Sequence, residues 1–403
     1  MTSLHAVHGP AAAVVPWLRA TWEAGHAALV LPWNAPTAHI RELLARLRPD
    51  TLTSFPTSPP PAEPVRLSAA APSPETVVDL PDPLPTAGDV RLVVATSGST
   101  GEPKGVELTA SALEASTRAS LERLGATVGQ RWALTLPLHH VAGVAVVRRA
   151  WALDSEPVLV PSRDALAMVD AEHVALVPTQ LERALDDGVD LARFATILLG
   201  GAAAADRLLA RAHEAGARVV VSYGMSETVG GCVYDGAPLD DVDVEVAADG
   251  RICIAGPVRF RAYRGDPAAT AAALDGDWLV TGDLGRWRHG RLEVLGRADE
   301  VAVSGGENVA LPAVASVVRG HPAVADAAVT TRPDREWGES VVAIVVVRDG
   351  RTAPTVAELG EHVAAQLPAS HRPRALAVVD ALPRDELGKV PRATLDALAA
   401  NAR

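Results

Sequence analysis

The sequence is poor in cysteine and in aromatic residues. It has 2 cysteines in 403 residues, Cys232 and Cys253, so neither a disulfide framework nor a cysteine-rich metal site is expected, and a reducing cytoplasm fits. Phe, Tyr and Trp make up 3% of the chain, which leaves the core to Ala, Val and Leu. No uninterrupted apolar run reaches the roughly 18 residues of a membrane helix. The N-terminus also lacks the basic start and apolar stretch of a signal peptide.

Basic residues are also scarce relative to acidic ones. The sequence has 37 Lys and Arg against 49 Asp and Glu, a net charge of −12. This balance argues against a general nucleic-acid surface and against a basic patch for membranes. Any site for an anionic ligand must therefore be built locally. The length of 403 residues predicts two or more domains.

The first two thirds of the chain predict an α/β domain. Residues 11–48 have a helical pattern, and residues 56–85 contain ten prolines, which predicts an extended surface connector. From residue 90 onward, short runs such as "RLVVAT", "ATILLGG" and "RVVVSYG" alternate with Ala-rich helical stretches. This alternation predicts a parallel sheet flanked by helices, in which ligands bind at the carboxyl ends of the strands.

The pattern changes after residue 238. The segment "VDVEVAADGRICIAGP" alternates with period two, and Asp249-Gly250 predicts a hairpin turn, so a small antiparallel subdomain is expected. From about residue 298 a smaller mixed unit begins. We predict a large N-terminal domain at 1–297 and a small α+β domain at 298–403.

One loop suggests that an anion is bound. The stretch "VVATSGSTGEPKGV" (93–106) follows an apolar run and is rich in Gly, Ser and Thr. It does not match the P-loop pattern, because Lys104 lies between Pro103 and Gly105. Glycine backbone, hydroxyl donors and one lysine could still hold a phosphate. A surface loop of small residues remains the alternative.

Six further stretches follow predicted strands or flank the small domain: "LPLHHVAG", "ILLGGAAA", "SYGMSET", "TGDLGRW", "GRADEVAVSGGENV" and "LPRDELGKVPR". Each alone has an ordinary structural explanation, such as a packed histidine pair, a turn-forming aspartate or a solvated charged loop. In this order and spacing they resemble the superfamily of adenylate-forming enzymes, which includes acyl-CoA synthetases, peptide-synthetase adenylation domains and luciferases. The resemblance covers residues 90–395.

The resemblance implies an activity in two steps. ATP and Mg²⁺ convert a carboxylate to an acyl-adenylate with release of pyrophosphate, and a thiol such as that of CoA then takes the acyl group. It also implies a mobile small domain that turns about a hinge at Asp299 between the two steps. Many relatives have a lysine near Val303, which this chain lacks.

The resemblance also implies the roles of individual residues. Lys389, Glu227 and His140 would be catalytic, and Glu227 with Thr100 would hold Mg²⁺. Ser304, Gly305 and Gly306 would face CoA. His140, Val229, Gly230 and Gly231 would line the acid pocket. ATP would be bound by Thr96, Ser97, Gly98, Ser99, Thr100, Lys104, Gly200, Gly201, Ala202, Ser222, Tyr223, Gly224, Met225, Ser226, Asp283 and Arg297.

The motifs of the implied acid pocket indicate which group of the superfamily the chain resembles. Adenylation domains for amino acids carry an aspartate in the region of "LPLHHVAG", and none is present, whereas acyl-CoA ligases have a similar motif. The chain, above all "GGCVYDG", resembles the short actinobacterial o-succinylbenzoate–CoA ligases of menaquinone biosynthesis. His140 or a backbone N–H could bind the second carboxylate of that acid. Alternatives are another aryl- or fatty-acid–CoA ligase, an acyl-AMP ligase that loads a carrier protein, and a nucleotide-binding module without catalysis.

Overall fold

The computed structural model describes residues 2–56, 63–66, 73–97, 103–161, 164–298, 301–383, 390–400 and 402. The chain forms two compact units: Met1–Val244 with Ile254–Leu279, and Glu245–Cys253 with Val280–Arg403. The predicted domain boundary at 297–298 stays a prediction. Within the described ranges, none of the helices combines the length and the apolar character needed to span a bilayer.

The strands up to residue 240 are β1 (Leu4–His8), β2 (Ala27–Val30), β3 (Thr51–Ser54), β4 (Val65–Arg66), β5 (Thr76–Asp79), β6 (Val90–Ser97), β7 (Pro103–Thr109), β8 (Trp132–Leu134), β9 (Val158–Leu159), β10 (His173–Leu176), β11 (Thr196–Leu199), β12 (Val219–Met225), β13 (Gly230–Tyr234) and β14 (Ala237–Pro238). The later strands are β15 (Asp243–Val246), β16 (Arg251–Ala255), β17 (Ala262–Tyr263), β18 (Leu274–Asp275), β19 (Trp278–Arg288), β20 (Arg291–Arg297), β21 (Val301–Ser304), β22 (Glu307–Ala310), β23 (Val324–Asp334), β24 (Gly338–Val347) and β25 (Ala375–Val379).

The helices are α1 (Ala11–Glu23), α2 (Thr37–Leu47), α3 (Ala110–Leu124), α4 (Val141–Ala152), α5 (Pro178–Asp186), α6 (Asp206–Glu214), α7 (Pro267–Ala273), α8 (Leu311–Arg319), α9 (Val356–Ala364) and α10 (Arg392–Ala399). Local sequence sets their ends. Thr109 caps α3 by accepting the N–H of Ala112, and Gly125 ends it in the left-handed region at φ 64°. Thr355 and Glu358 form a capping box at α9.

Two sheets build the first unit. One has the strand order β17-β7-β6-β2-β1-β3-β5, and the other the order β14-β13-β12-β11-β10-β8-β9-β4. The central pairs β1–β2, β1–β3, β10–β11 and β11–β12 are parallel. Apolar residues of the second sheet and its helices form a buried core that includes Val174, Ile197 and Leu208. The predicted α/β fold with parallel strands and flanking helices is confirmed.

Two details differ from the sequence-based expectation. Residues 11–48 are not entirely helical, because β2 lies between α1 and α2. Its four residues are all buried, and so short an apolar run is hard to distinguish from a helix segment. The proline-rich connector also contributes strands to two sheets: β4 pairs with β9, and β5 pairs with β3.

The second unit contains the predicted turn and a mixed sheet. At Asp249-Gly250, the N–H of Ala247 donates to the carbonyl of Arg251 at 2.9 Å, and Gly250 has φ 86°, as a tight turn requires. The sheet has the order β22-β21-β24-β23, with β25 parallel to β24. Its buried residues include Val341, Ala343 and Val345, which pack with α8 and α9. This arrangement agrees with the predicted α+β character.

Candidate active site

The two strands that flank the Gly/Ser/Thr stretch pair with each other in antiparallel fashion. β6 pairs with β7, so that Thr96 lies opposite Lys104 and Ser97 lies opposite Pro103. The hydroxyl of Thr96 donates to the carbonyl of Lys104 at 3.5 Å. The sequence pattern did not predict β7, because its seven residues begin with proline and include glycine. Gly98, Ser99 and Thr100 lie outside the described residues, so their roles stay predictions.

Lys104 and Glu227 contact the same tyrosine. The hydroxyl of Tyr263 donates to Oε1 of Glu227 at 2.7 Å. The ammonium of Lys104 lies 5.0 Å from the centroid of the Tyr263 ring, within the range of a cation–π interaction. The structure therefore brings two predicted ATP-site residues to one aromatic side chain.

Backbone pairing explains why Tyr263 lies there. β17 pairs with β7, and Tyr263 lies opposite Val106, two residues after Lys104 and on the same face of that strand. Three residues earlier, the N–H of Phe260 donates to the carbonyl of Glu227 at 2.7 Å. The segment 260–263 thus connects the strand of Lys104 with the 3-10 turn Ser226–Thr228, which carries Glu227.

The residues expected beside adenine lie at the ends of adjacent strands. Gly200, Gly201 and Ala202 follow β11, and Ser222–Met225 complete β12, its parallel neighbour. A Cβ added at Gly200 would lie 3.5 Å from Cβ of Ser222, so the glycine turn passes close to that strand. Gly201 has φ 80°, which a residue with a side chain rarely adopts. This edge is where α/β sheets bind ligands.

A tight hairpin brings the predicted acid pocket to the same place. β12 pairs with β13, with Gly224 opposite Gly231 and Met225 opposite Gly230. A Cβ at Gly224 would lie 1.9 Å from the Gly230 carbonyl oxygen, and one at Gly231 would lie 2.0 Å from Oγ of Ser222. Val229 turns the chain at φ 56° and is 3% exposed. The hairpin geometry excludes any side chain at Gly224, whereas a side chain at Gly231 would have to displace the Ser222 hydroxyl and the Tyr234 ring.

His140 lies at the start of α4, where it is the N-cap residue. Its ring centroid is 4.2 Å from that of His139, and the two rings are tilted. The next residue, Val141, has its Cγ1 3.9 Å from the position of a Cβ at Gly230. The start of α4 therefore adjoins the Gly230 turn, which brings the predicted pocket residues together.

The remaining described candidates belong to the second unit. Asp283 and Arg297 lie opposite each other on β19 and β20, with Nη1 of Arg297 3.5 Å from Oδ1 of Asp283. Gly305 (φ 61°) and Gly306 (φ 81°) form the turn between β21 and β22, after the buried Ser304. Asp299 and Lys389 lie outside the described residues. Their roles stay predictions.

The donors present fit a magnesium ion. Glu227 offers a hard carboxylate oxygen, the ligand type that Mg²⁺ prefers. Among the described residues, no three His, Cys, Asp or Glu side chains come together as a metal-binding group. A Mg²⁺ at Glu227 would therefore take most of its ligands from phosphates and water, which is its usual coordination.

The thiol nearest the site is not a nucleophile. Cys232 follows Gly231 on β13 and is fully buried, and this burial raises the pKa of its thiol to about 12. The thiol therefore stays protonated at neutral pH. Its complete burial on β13 instead gives this cysteine a packing role.

Tyr263 is a site residue that the sequence did not predict. It lies in the stretch "GPVRFRAYRGDP", outside the motifs that carry the resemblance. The sequence does contain one hint of a role for Tyr263. The chain has 3 tyrosines, and this one lies between two arginines after a predicted antiparallel segment. Its contacts with Glu227, 36 residues earlier, and with Lys104, on another strand, need tertiary pairing between segments, which periodicity does not show.

Comparisons with known proteins identify the family. The model for "AMP-binding enzyme" matches residues 11–263, and that for "AMP-binding enzyme C-terminal domain" matches residues 313–389. A "Probable 2-succinylbenzoate–CoA ligase" of Mycobacterium tuberculosis is 43% identical over 75% of this chain and 83% of its own length.

Solved structures give the same result. The o-succinylbenzoate coenzyme A synthetase of Bacillus subtilis in complex with its acyl-adenylate intermediate has a TM-score of 0.82 and 26% identity, over 98% of this chain and 88% of that one. The same enzyme in complex with ATP and magnesium ion has a TM-score of 0.80 and 26% identity, over 98% and 89%. The matched motifs, the fold and these relatives together show that the chain belongs to the AMP-binding enzyme family.

Proposed function

We propose that this chain is an ATP-dependent acid–CoA ligase that converts 2-succinylbenzoate to 2-succinylbenzoyl-CoA in menaquinone biosynthesis. The observation that carries the proposal is the identity with the mycobacterial ligase across most of that protein's length. The first unit supports this proposal as well. It contains Lys104, Glu227 and the Gly200–Ala202 turn, which suit a nucleoside triphosphate.

In the first half-reaction, a carboxylate oxygen attacks the α-phosphorus of ATP, and the bond to pyrophosphate breaks. Two anions must meet, so the residues around them have to offset their repulsion. Lys104 would hold the β- and γ-phosphates, and Lys389 would bridge the carboxylate and the α-phosphate. Glu227 would hold Mg²⁺, which neutralises phosphate charge when bound.

In the second half-reaction, the sulfur of CoA attacks the acyl carbon, AMP leaves, and the thiol proton is released. Gly305 and Gly306 have positive φ and no side chains, so their turn could lie close to the pantetheine arm of CoA. We propose that this turn of the second unit, between β21 and β22, faces CoA in this step. The thiol of Cys232 takes no part, because it is buried and protonated.

The acid pocket is proposed at the β12–β13 hairpin. Gly230 leaves room beside the predicted adenylate site, since a Cβ there would meet only Cγ1 of Val141 at 3.9 Å, and His140 lies at the adjoining start of α4. Gly231 would line the pocket with its backbone. The succinyl carboxylate would be activated, and His140 or a backbone N–H would donate to the benzoate carboxylate. We also propose a cytoplasmic location. Both cysteines are free thiols, which suits a reducing compartment.

The test is ATP–pyrophosphate exchange with a panel of acids, followed by detection of the CoA thioester. The panel contains 2-succinylbenzoate, benzoate, an arylacetate, and a medium-chain fatty acid. We expect exchange with 2-succinylbenzoate to have the highest kcat/KM and to yield its CoA thioester. Preference for another acid would overturn the substrate. Exchange without thioester formation from CoA would overturn the ligase and favour an enzyme that loads a carrier protein.

A further inference from the structure

Tyr263 makes two different contacts with groups that the proposed function uses. Its hydroxyl donates to the Glu227 carboxylate at 2.7 Å, and its ring face receives the Lys104 ammonium at 5.0 Å. Its own backbone is held on both sides, by the pairing with Val106 and by donation of its N–H to Oγ1 of Thr270 at 2.9 Å. The side chain is therefore anchored where it meets both charges.

We propose that Tyr263 is a positioning residue that sets Glu227 and Lys104 in place for the metal–triphosphate complex. The inference rests on the proposed function, because that function gives Glu227 the metal and Lys104 the phosphates. Tyr263 itself need touch neither ATP nor metal. It acts through the two side chains that it holds.

The chemistry of the two contacts suits this role. A phenol O–H can donate to one carboxylate oxygen and leave the other oxygen of Glu227 for a cation. Hydrogen bonds to charged groups are stronger than neutral ones, so the carboxylate orientation is well defined. The cation–π contact holds the Lys104 ammonium from the ring side and leaves N–H groups of that ammonium free to donate to a phosphate, so the contact is kept when ATP binds.

Tyr263 contacts two opposite charges. Within the described ranges, the structure shows no ion pair between Lys104 and Glu227, although both contact the same side chain. A direct pair would neutralise the carboxylate that should hold the metal and the ammonium that should hold phosphate. Because each group contacts Tyr263 and not the other, each charge is kept for the ligand.

The first test is Tyr263→Phe, which removes the hydroxyl and keeps the ring. Binding of ATP is measured by calorimetry over a Mg²⁺ series, so the readout does not depend on turnover. We expect the Mg²⁺ concentration for half-maximal ATP binding to rise about tenfold, the order expected for a hydrogen bond to a charged group. ATP binding at saturating Mg²⁺ should change much less.

Tyr234→Phe is the matched control. It removes a phenol oxygen of the same kind, but Tyr234 is buried and bonds to Oγ of Ser120 at 2.7 Å. We expect this variant to unfold at a lower temperature and to keep the wild-type Mg²⁺ dependence. An equal Mg²⁺ shift in both variants would mean that loss of stability, not positioning, causes the effect.

The second test is Tyr263→Leu, which also removes the ring. Compared with Tyr263→Phe, it should weaken ATP binding at saturating Mg²⁺ by a further twofold to fivefold, as expected for an exposed cation–π contact. In a Lys104→Met background this additional loss should vanish, because no ammonium remains to be held. A loss of the same size in both backgrounds would overturn the role of the ring.

The inference fails if Tyr263→Phe binds Mg²⁺ and ATP as the wild type does. That result differs from failure of the proposed function, in which the wild type forms no thioester with any acid. The half-reactions give one more readout. Tyr263→Phe should slow adenylation at low Mg²⁺ and leave thioester formation from preformed acyl-adenylate unchanged, and equal slowing of both would also overturn the inference.

Discussion

Arg264 and Glu107 form an ion pair inside the first unit. Nη1 of Arg264 lies 3.3 Å from Oε1 of Glu107, and the side chains are 1% and 6% exposed. Burial lowers the pKa of the Arg264 guanidinium, against the opposing effect of Glu107. Its other N–H groups donate to the carbonyls of Leu47 and Leu84, both at 2.6 Å. One side chain thus joins the end of α2, the proline-rich connector and β7.

Arg264→Met should therefore destabilise the first unit strongly. It leaves Glu107 with less charge compensation and several buried carbonyls without donors, and breaking a buried pair typically costs about 3–5 kcal/mol. Urea unfolding followed by circular dichroism measures the change. The control is Arg118→Ala, which removes an exposed pair with Asp241 and should cost under about 1 kcal/mol. Similar losses for both would contradict the anchoring role.

Glu227→Gln should raise the Mg²⁺ requirement of adenylation. The amide keeps an oxygen that can accept from Tyr263 but loses the charge that attracts the cation, so the half-saturating Mg²⁺ should rise about tenfold or more. Pyrophosphate exchange over a Mg²⁺ series checks this. Glu122→Gln, an exposed position on α3, serves as the control and should behave as the wild type. Normal exchange at low Mg²⁺ would remove Glu227 from the metal site.

Lys389→Ala should separate the two half-reactions. Losing a contact to charge that develops in the transition state typically costs about 10² to 10³ in rate, and the loss should fall on adenylation. Thioester formation from preformed acyl-adenylate should stay near the wild-type rate. The sequence has two lysines, Lys104 and Lys389. Labelling of lysine amines with and without ATP therefore also measures whether bound ATP protects each of them. An equally steep fall in the rates of both steps would exclude a small domain that turns between them.

His173 should make stability depend on pH. It is 1% exposed, and burial lowers the pKa of its imidazole, with Arg149 and Arg218 adding to the shift. Above the usual pKa of 6.5 both folded and unfolded states are neutral. Below it the unfolded state takes up a proton first, so stability falls by up to about 1.4 kcal/mol per pH unit. Urea midpoints at pH 7.5 and 5.5 should differ less in His173→Gln than in the wild type.

The cysteines should differ in reactivity. Burial raises the pKa of Cys232 to about 12, whereas Cys253 is only partly buried. At pH 8 a disulfide reagent should therefore titrate one thiol in the native protein and two in denaturant. Cys253→Ser should abolish the native reaction. Rapid modification of two thiols in the native state would contradict the packing of Cys232.

Periodicity and motif order predicted the parallel sheets, the hairpin at Asp249-Gly250 and the chain positions of the site. They missed β2, which is short, and β7, which begins with proline and contains glycine, and neither has a clear alternating pattern. They also missed Tyr263 and Arg264, whose partners lie far away in the chain. The contacts of such side chains form only when distant segments pair in the folded chain, and a single sequence contains no direct signal for that pairing.

The β12–β13 hairpin limits how the substrate range of this chain can be changed by mutation. A side chain at Gly224 would overlap the backbone carbonyl of Gly230 at 1.9 Å, so libraries that vary this codon should yield mostly unfolded protein. A side chain at Gly231 would force Ser222 and the buried Tyr234 ring to move. Variation at His140 meets no such barrier, since this N-cap residue of α4 is only partly buried, whereas Val141 is buried and accepts mainly apolar side chains. Directed evolution toward smaller or larger acids is therefore better begun at α4 than at the glycine-rich turn.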